Sequence, residues 1–475
     1  MIQINLNGRW QQIDRIDPNT TLLHYLRHHA ALTDSKEGCA GGDCGACSVL
    51  LGQQQADGSI RYRHINSCIA LLAQAHNGYI VTASALATLH DSDGLHPAQR
   101  ALVEQHGSQC GFCTPGFAVA LAALYENHSG RAADKAQVHT AISGNLCRCT
   151  GYRPIVEAGL SMHQYAAHAG QTATPAPPPA ADCAELSHNG RTLLIPQNEA
   201  QLQQALRRYP DAVLWAGGTD LGLTLTQQFK QYDTIICLHQ VAELLQTASN
   251  KHSIDIGAAV CYQDAETLLH EHFPAFGALM HRFASQPIRH LGTIGGNIAN
   301  ASPIGDTPPV LLALEAEVEI VEVLSDGRRH HTIALADFFL DYKQTRLPKA
   351  AYIRNIRIPQ LQAGEALHVY KVSKRPEDDI SAVLFAAKMR IISGRIQAAR
   401  IAYGGMAAIP KLAVRTAAAL VDKPFEIENL QQAANHLPDE FSPMSDVRAG
   451  AAYRMQVAQN LLLKPLLANE TAEAV

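Results

Sequence analysis

Cys39, Cys44, Cys47 and Cys68 stand in the order C-x4-C-x2-C-x20-C, and Cys110, Cys113, Cys147 and Cys149 follow as C-x2-C-x33-C-x-C. These eight of the chain's eleven cysteines constrain the fold more than any other feature, because two groups of four must each be drawn together in space. The first three lie in CAGGDCGAC, where Gly38, Gly41, Gly42 and Gly45 let the backbone wrap closely and aim amide hydrogens at sulfur. That spacing is the plant-type pattern for a two-iron cluster. The second group sits at predicted helix ends, so two connections can converge on one cluster. A zinc ion is the alternative occupant for both sets, and reduced structural cysteines are a further alternative for the first, although zinc ribbons favour paired C-x2-C knuckles over its asymmetric loop.

A chain of 475 residues needs more than one core, and 47% hydrophobic against 17% charged residues gives it the apolar surface to build them. INLNGRWQQI alternates apolar and polar residues around Asn7-Gly8, which predicts a two-residue hairpin. Thr20 to Leu32 carries helical spacing behind a hydroxyl cap, and the two together suggest a β-grasp domain over 1–80. Helices fill 81–168: Thr114-Pro115 reads as a cap and first-turn proline, Asp134 to Ser143 stops at Gly144, and a third helix follows Pro154. The proline-rich run within 169–190 can hold neither a helix nor a central strand and reads as a linker. Strands such as TIICL, SIDIGAAV and AEVEIVEVL among helices such as EAQLQQALRRY give an α+β domain over 191–362. A last domain, 363–475, opens on SAVLFAAKMRII and IQAARIAYGG and ends in helices. The fold class is multidomain α+β.

Two further segments are glycine-rich after a strand: LWAGGTDL (Leu214 to Leu221) and FASQPIRHLGTIGGNIANASPIGD (Phe283 to Asp306). Their turns bare backbone amides for a pyrophosphate, with Thr219, Thr293 and Asn297 offering side-chain hydrogen bonds. Alone, such a glycine pair is an ordinary turn, and neither G-x-G-x-x-G nor GK[ST] occurs.

The ferredoxin-like loop followed by CGFCTPG and LCRCTGYRP resembles the iron–sulfur portion of the xanthine dehydrogenase and aldehyde oxidase family of molybdenum hydroxylases. The resemblance covers nearly the whole chain, continuing through both glycine-rich segments, YKVSKRPEDDI (370–380) and YGGM (403–406). It implies a β-grasp 2Fe-2S domain, an all-α 2Fe-2S-binding domain, an FAD-binding domain like that of vanillyl-alcohol oxidase and a C-terminal α/β flavoprotein domain. Each tetrad would bind one 2Fe-2S cluster, the first nearer the flavin and the second nearer the molybdopterin. Leu214, Gly217, Gly218, Thr219, Asp220 and Leu221 would line the diphosphate and ribose side of FAD. Thr293, Gly296, Asn297 and Asp306 would serve the second loop. Phe283 would pack on the isoalloxazine, with Ile353 and Lys371 near its edge. Tyr342 and Asp378 match positions beside the nicotinamide cofactor in the family. Read without the family, Phe283 is a core aromatic, Tyr342 a surface one and the acidic EDD a solvated cluster.

The resemblance also implies electron transfer within an NAD-reducing xanthine dehydrogenase, or within a related aldehyde, purine or aromatic hydroxylase that uses oxygen or another acceptor. No segment resembles a molybdopterin domain, so that site and its catalytic groups are expected on a large partner subunit, in a heterotetramer of two small and two large chains. Flavin suits the junction because it accepts single electrons and passes on a pair. The net charge of −5 argues against nucleic acid and anionic membrane. Arg9, Asp14, Arg15 and Asp17 interrupt any signal-like run, and Pro115 to Tyr125 is too short for a membrane span, so a cytoplasmic protein is expected. Cys183, Cys237 and Cys261 read as ordinary thiols, and the 23 histidines form no recognisable site.

Overall fold

The computed structural model describes residues 1–55, 57–90, 94–165, 183–376 and 378–473. Most of the proline-rich linker, the end of the helix after Pro154, and Glu377 of the acidic loop lie outside the described residues. Two compact units emerge: Met1–Ala242 with Ser285–Gly292, and Glu243–Ala284 with Thr293–Val475. The first unit therefore captures an eight-residue piece of the second glycine-rich segment.

Asn7 and Gly8 take φ angles of 51° and 86°, which a two-residue primed turn requires, so Ile2–Leu6 and Arg9–Ile13 close with Asn5 opposite Trp10. The five-stranded sheet runs Arg9–Ile13, Ile2–Leu6, Tyr79–Val81, Ser48–Gln54, Ile60–Asn66, with only the Ile2–Leu6 and Tyr79–Val81 pair parallel. Leu22–His28 is helical, and Thr21 Oγ1 caps it by accepting the His24 N–H. Its Leu22, Tyr25 and Leu26 join the core formed by Ile2, Ile4, Val49 and Ile80. The helix ends four residues before the periodicity predicts. Ala31 sits at φ 57°, a left-handed angle that ends the repeat and turns the chain toward the cysteine loop.

Four helices follow: Pro97–Glu104, Thr114–Asn127, Lys135–Ile142 and Arg153–Ser161. Phe117 to Ala123 are all buried, since small alanines let neighbours pack on every side of that helix. Its cap is Cys113 rather than Thr114, which is the first helical residue and pairs its hydroxyl with Ser108 Oγ at 2.7 Å. A four-stranded sheet, Ala184–His188, Arg191–Ile195, Thr234–Cys237, Val213–Trp215, completes the unit. Its Leu193, Trp215 and Ile235 share one core with Ile2, Ile4 and Leu71.

The second unit holds an antiparallel sheet, Thr247–Ser249, Ser253–Gly257, Ala351–Pro359, Glu317–Leu324, Gly327–Ala334. Helices Tyr262–His272, Pro274–Met280, Ile294–Asn300 and Thr307–Ala313 contribute to its core. A second antiparallel sheet, Glu365–Val372, Val383–Ile392, Arg395–Gly404, Lys411–Leu412, buries Val383, Phe385 and Tyr403 with the helices Val414–Leu420, Ile427–Ala434 and Ala451–Glu473. Among the described residues no helix is long and apolar enough to cross a membrane.

Candidate functional site

The loop before Ser48–Gln54 gathers Cys39, Cys44 and Cys47, and the turn after Ile60–Asn66 adds Cys68. Cys47 and Cys68 are buried with Leu23 and Ile69, while Cys39 and Cys44 are half-buried. The Gly41 N–H donates to Cys39 Sγ at 3.3 Å. Hydrogen bonds from Cys44 and Cys68 hold the Cys39 thiol far below its ordinary value, and one from Cys68 lowers Cys47. Their donors Cys44 and Cys68 are pushed up by the same bonds. Four converging sulfurs, two of them favoured as thiolates and met by backbone amides, are a donor set that fits a two-iron cluster. Side chains brace the loop: Asn66 Nδ2 donates to Gly42 O at 2.6 Å and Ser67 Oγ to Cys47 O at 2.6 Å.

The second tetrad pairs Cys110 with Cys149 and Cys113 with Cys147. The Phe112 N–H and then Cys149 lower the Cys110 thiol. Burial, then the hydrogen bond to Cys147, pushes Cys113 up to about 12. Burial opposes ionisation of Cys147, but Thr150 Oγ1 at 3.1 Å and the Thr150 and Cys149 amides outweigh it and lower the thiol. Cys110 and Cys149 are exposed, and around them Phe112, Leu146 and Tyr152 are 46%, 53% and 36% exposed. Two cysteines of this tetrad reach the surface, whereas two of the first are buried.

The two cysteine loops touch. The Leu146 N–H, one residue before Cys147, donates to the Cys44 carbonyl at 3.0 Å. Asn145 Nδ2 donates to Gly45 O at 3.0 Å, and a Cβ on Gly45 would stand 2.4 Å from both the Asn145 amide nitrogen and Gly144 O. Only glycine permits that approach.

In the first unit, Leu214 lies on Val213–Trp215, and Gly217, Gly218, Thr219 and Asp220 form the turn into the helix Leu221–Thr226. A Cβ on Gly217 would lie 2.0 Å from Leu291 O, so the loop runs directly against the captured Ser285–Gly292 segment. Gln74, which the sequence reading did not single out, locks this loop to the β-grasp domain. Its Oε1 accepts from Trp215 Nε1 at 3.0 Å and its Nε2 donates to Gly217 O at 3.0 Å. Thr226 Oγ1 at the helix end donates to Ala40 O at 2.7 Å, inside the first cysteine loop. No sequence signal marked Gln74, because a lone glutamine has no spacing pattern.

In the second unit, Thr293 caps Ile294–Asn300 by accepting the Gly296 N–H at 3.0 Å. Asn297 Oδ1 accepts from Thr307 Oγ1, which also pairs with Tyr262 OH at 2.9 Å. Asp306 receives Lys371 Nζ at 2.7 Å and Ser381 Oγ at 2.5 Å in a buried network. Lys371 is thus held by Asp306 and by the Arg282 carbonyl at 2.8 Å. The Phe283 ring packs on Tyr262 with centroids 4.4 Å apart, and Ile353 is buried opposite Ile320. Within this unit, Gly295 and Gly296 leave two positions in the first turn of the capped helix Ile294–Asn300 without side chains. Arg282 donates to the Lys371 and Pro376 carbonyls, anchoring the start of the acidic loop on which Asp378 stands exposed at φ 63°. Tyr342 is 56% exposed in the turn between Phe339–Asp341 and Gln344–Thr345. Of the remaining cysteines, Cys237 is fully buried and its thiol pushed up by burial, and Cys261 Sγ donates to Asp264 at 3.2 Å.

Four family models match in succession: a 2Fe-2S iron–sulfur cluster binding domain over 4–73, a [2Fe-2S] binding domain over 82–160, the FAD binding domain in molybdopterin dehydrogenase over 188–361, and the CO dehydrogenase flavoprotein C-terminal domain over 368–468. Among curated proteins, the xanthine dehydrogenase of Blastobotrys adeninivorans is 30% identical over 97% of this chain and 40% of its own length. That of Drosophila pseudoobscura pseudoobscura is 28% identical over 97% of this chain and 39% of its own length. The chain thus spans about two fifths of these relatives. Among solved structures, a carbon monoxide dehydrogenase from Hydrogenophaga pseudoflava matches with a TM-score of 0.53 and 27% identity, covering 57% of this chain and 94% of its own. Quinoline 2-oxidoreductase from Pseudomonas putida 86 matches with 0.53 and 25%, covering 58% and 94%. With both iron–sulfur domains and both flavoprotein domains present in one unbroken order, the chain belongs to the molybdenum hydroxylase family and carries its iron–sulfur and FAD-binding portion.

Proposed function

We propose that this chain conducts electrons within a xanthine dehydrogenase, from a separate molybdopterin-bearing subunit through two 2Fe-2S clusters to FAD and on to NAD. The observation that carries this reading is the graded exposure of the two tetrads. Cys110 and Cys149 are exposed beside Phe112 and Leu146, the face a partner would cover, while Cys47 and Cys68 are buried. In this reading Cys110, Cys113, Cys147 and Cys149 hold the entry cluster and Cys39, Cys44, Cys47 and Cys68 the second. The Cys44 carbonyl bonded to the Leu146 amide gives a short bridge between them. From the second cluster, Ala40 reaches the Leu221–Thr226 helix through Thr226, and that helix begins where Gly217 and Gly218 would face the FAD diphosphate.

The bound flavin supplies the step from single electrons to a pair. The residues' part is positional. Gln74 and Trp215 fix the first loop, Thr293 and Asn297 order the second, and Asp306 with Lys371 holds the strand end from which the 373–380 loop departs. Tyr342 and Asp378 are assigned to the NAD side. In this reading purine oxidation, with its acid, base and substrate pocket, belongs to the partner, in a heterotetramer of two small and two large chains in the cytoplasm.

A second reading is favoured by the structural relatives named for carbon monoxide and quinoline: a related aldehyde, purine or aromatic hydroxylase that delivers electrons to oxygen or another carrier. Co-purification of the partner, followed by assay with xanthine and NAD, separates the two. Xanthine-dependent NADH formation supports the first reading. Oxidation of another substrate, or of xanthine with oxygen alone, replaces it.

A further inference from the structure

Helix Leu22–His28 ends in a cluster of imidazoles that neither the cysteine tetrads nor the flavin loops use. His24 and His28 lie one turn apart with ring centroids 4.6 Å from each other, and His29, at the C-cap, places its ring 5.7 Å from His24. All three are exposed, and none of the rings has a hydrogen-bond partner among the described residues. With metal–nitrogen bonds of about 2.1 Å and ring centres about 1.2 Å beyond the nitrogen, two imidazoles on one ion at roughly 90–110° have centroids about 4.6–5.3 Å apart. The His24–His28 separation falls within that range, without rearrangement of the helix.

Electrostatics act in the same direction. The last turn of a helix presents its unpaired carbonyls and the negative end of its dipole, which favours a cation beside His28 and His29. The Glu37 carboxylate is close enough to act on His24. Arg27, the nearest opposing charge in sequence, turns its guanidinium to the Thr33 and Ser35 carbonyls.

A second histidine group shows what such a site requires. His90 and His96 converge on Glu126 Oε1 at 2.6 and 2.9 Å, all three buried, a set close enough to hold an ion. His96 Nδ1, however, accepts the Ala98 N–H at 3.1 Å, so its proton sits on Nε2 and points at the carboxylate. An ion there would meet an N–H, and the group is a hydrogen-bonded triad. The His24 and His28 rings carry no such hydrogen bond among the described residues.

The geometry points to a surface site for a divalent late transition ion such as Zn2+ or Ni2+, chelated by the His24 and His28 pair, with the His29 ring stacked instead on Tyr25. Imidazole donors suit this class, and Mg2+ or Ca2+ would not be held by them. The test titrates Ni2+ and Zn2+ by calorimetry into the full chain with its clusters and flavin in place, beside the His24→Ala and His28→Ala variants. Both rings are exposed, so neither variant should perturb folding, and unchanged visible spectra check that. The expected result is one site per chain in the wild type, weakened at least tenfold in each variant, with a metal-dependent rise in Tm only in the wild type. Binding that is equal in the wild type and both variants, or absent from all three, overturns the site.

Discussion

Gln74 bonds both Trp215 and Gly217, so its replacement by alanine leaves a buried indole N–H and a loop carbonyl unpaired, at a cost of about 1–3 kcal/mol. The flavin-to-iron ratio of purified Gln74→Ala protein should fall several-fold while iron content holds. An unchanged ratio would remove Gln74 from the flavin cradle. Lys371 and Asp306 form an ion pair with side chains 2% and 6% exposed. Lys371→Met would strand the carboxylate, and breaking a buried pair in this way costs about 3–5 kcal/mol. Chemical denaturation of the two proteins reads that loss directly. The cysteine tetrads stand out in the sequence by their spacing, whereas the glycine and threonine positions of the two loops are named through the family resemblance. Gln74 and the pairing of Lys371 with Asp306 are not legible, because the partners lie far apart along the chain.

At the scale of elements, the contact between the two cysteine loops rests on Asn145, which donates to Gly45 O and lies 3.4 Å from Ser48 Oγ. Asn145→Leu should loosen that junction. Electron paramagnetic resonance of the reduced protein, in which the two clusters couple magnetically only at short range, should then show weaker coupling with both signals retained. The sequence placed the hairpin at Asn7-Gly8 and the helix after Asp134 well, since turn chemistry and capping are local. It overran the helix that ends at His28 and named Thr114 a cap in place of Cys113. In both cases a tertiary demand set the boundary, the first by the left-handed Ala31 and the second by the need to bring Cys113 to Cys147.

Across the whole molecule, the first unit contains five buried or half-buried histidines with lowered basicity, His64, His76, His96, His239 and His290. Burial holds His64 and His239 down to about 3 and His76 to about 4, and brings His290 well below its ordinary value. In the unfolded chain each of these last four binds a proton below about pH 6.5, whereas in the folded unit none does until far lower pH. The unfolded state therefore gains protons first, and stability falls as pH drops from about 6.5 toward 4, by roughly 1.4 kcal/mol per pH unit for each group. Hydrogen exchange between pH 7 and 5 should show Met1–Ala242 opening before the strands of the second unit. Simultaneous opening, or the reverse order, would contradict this account.

The cysteine spacing, the turn residues and the periodicity of helices and strands determined by themselves that this chain has two groups of four cysteines and several domains, one of them helical, because each of those signals is carried by neighbours in sequence. Tertiary structure alone decided that Ser285–Gly292 joins the first unit and that Leu146 meets Cys44. Those contacts depend on backbone approaches between segments distant along the chain, which local propensity does not encode.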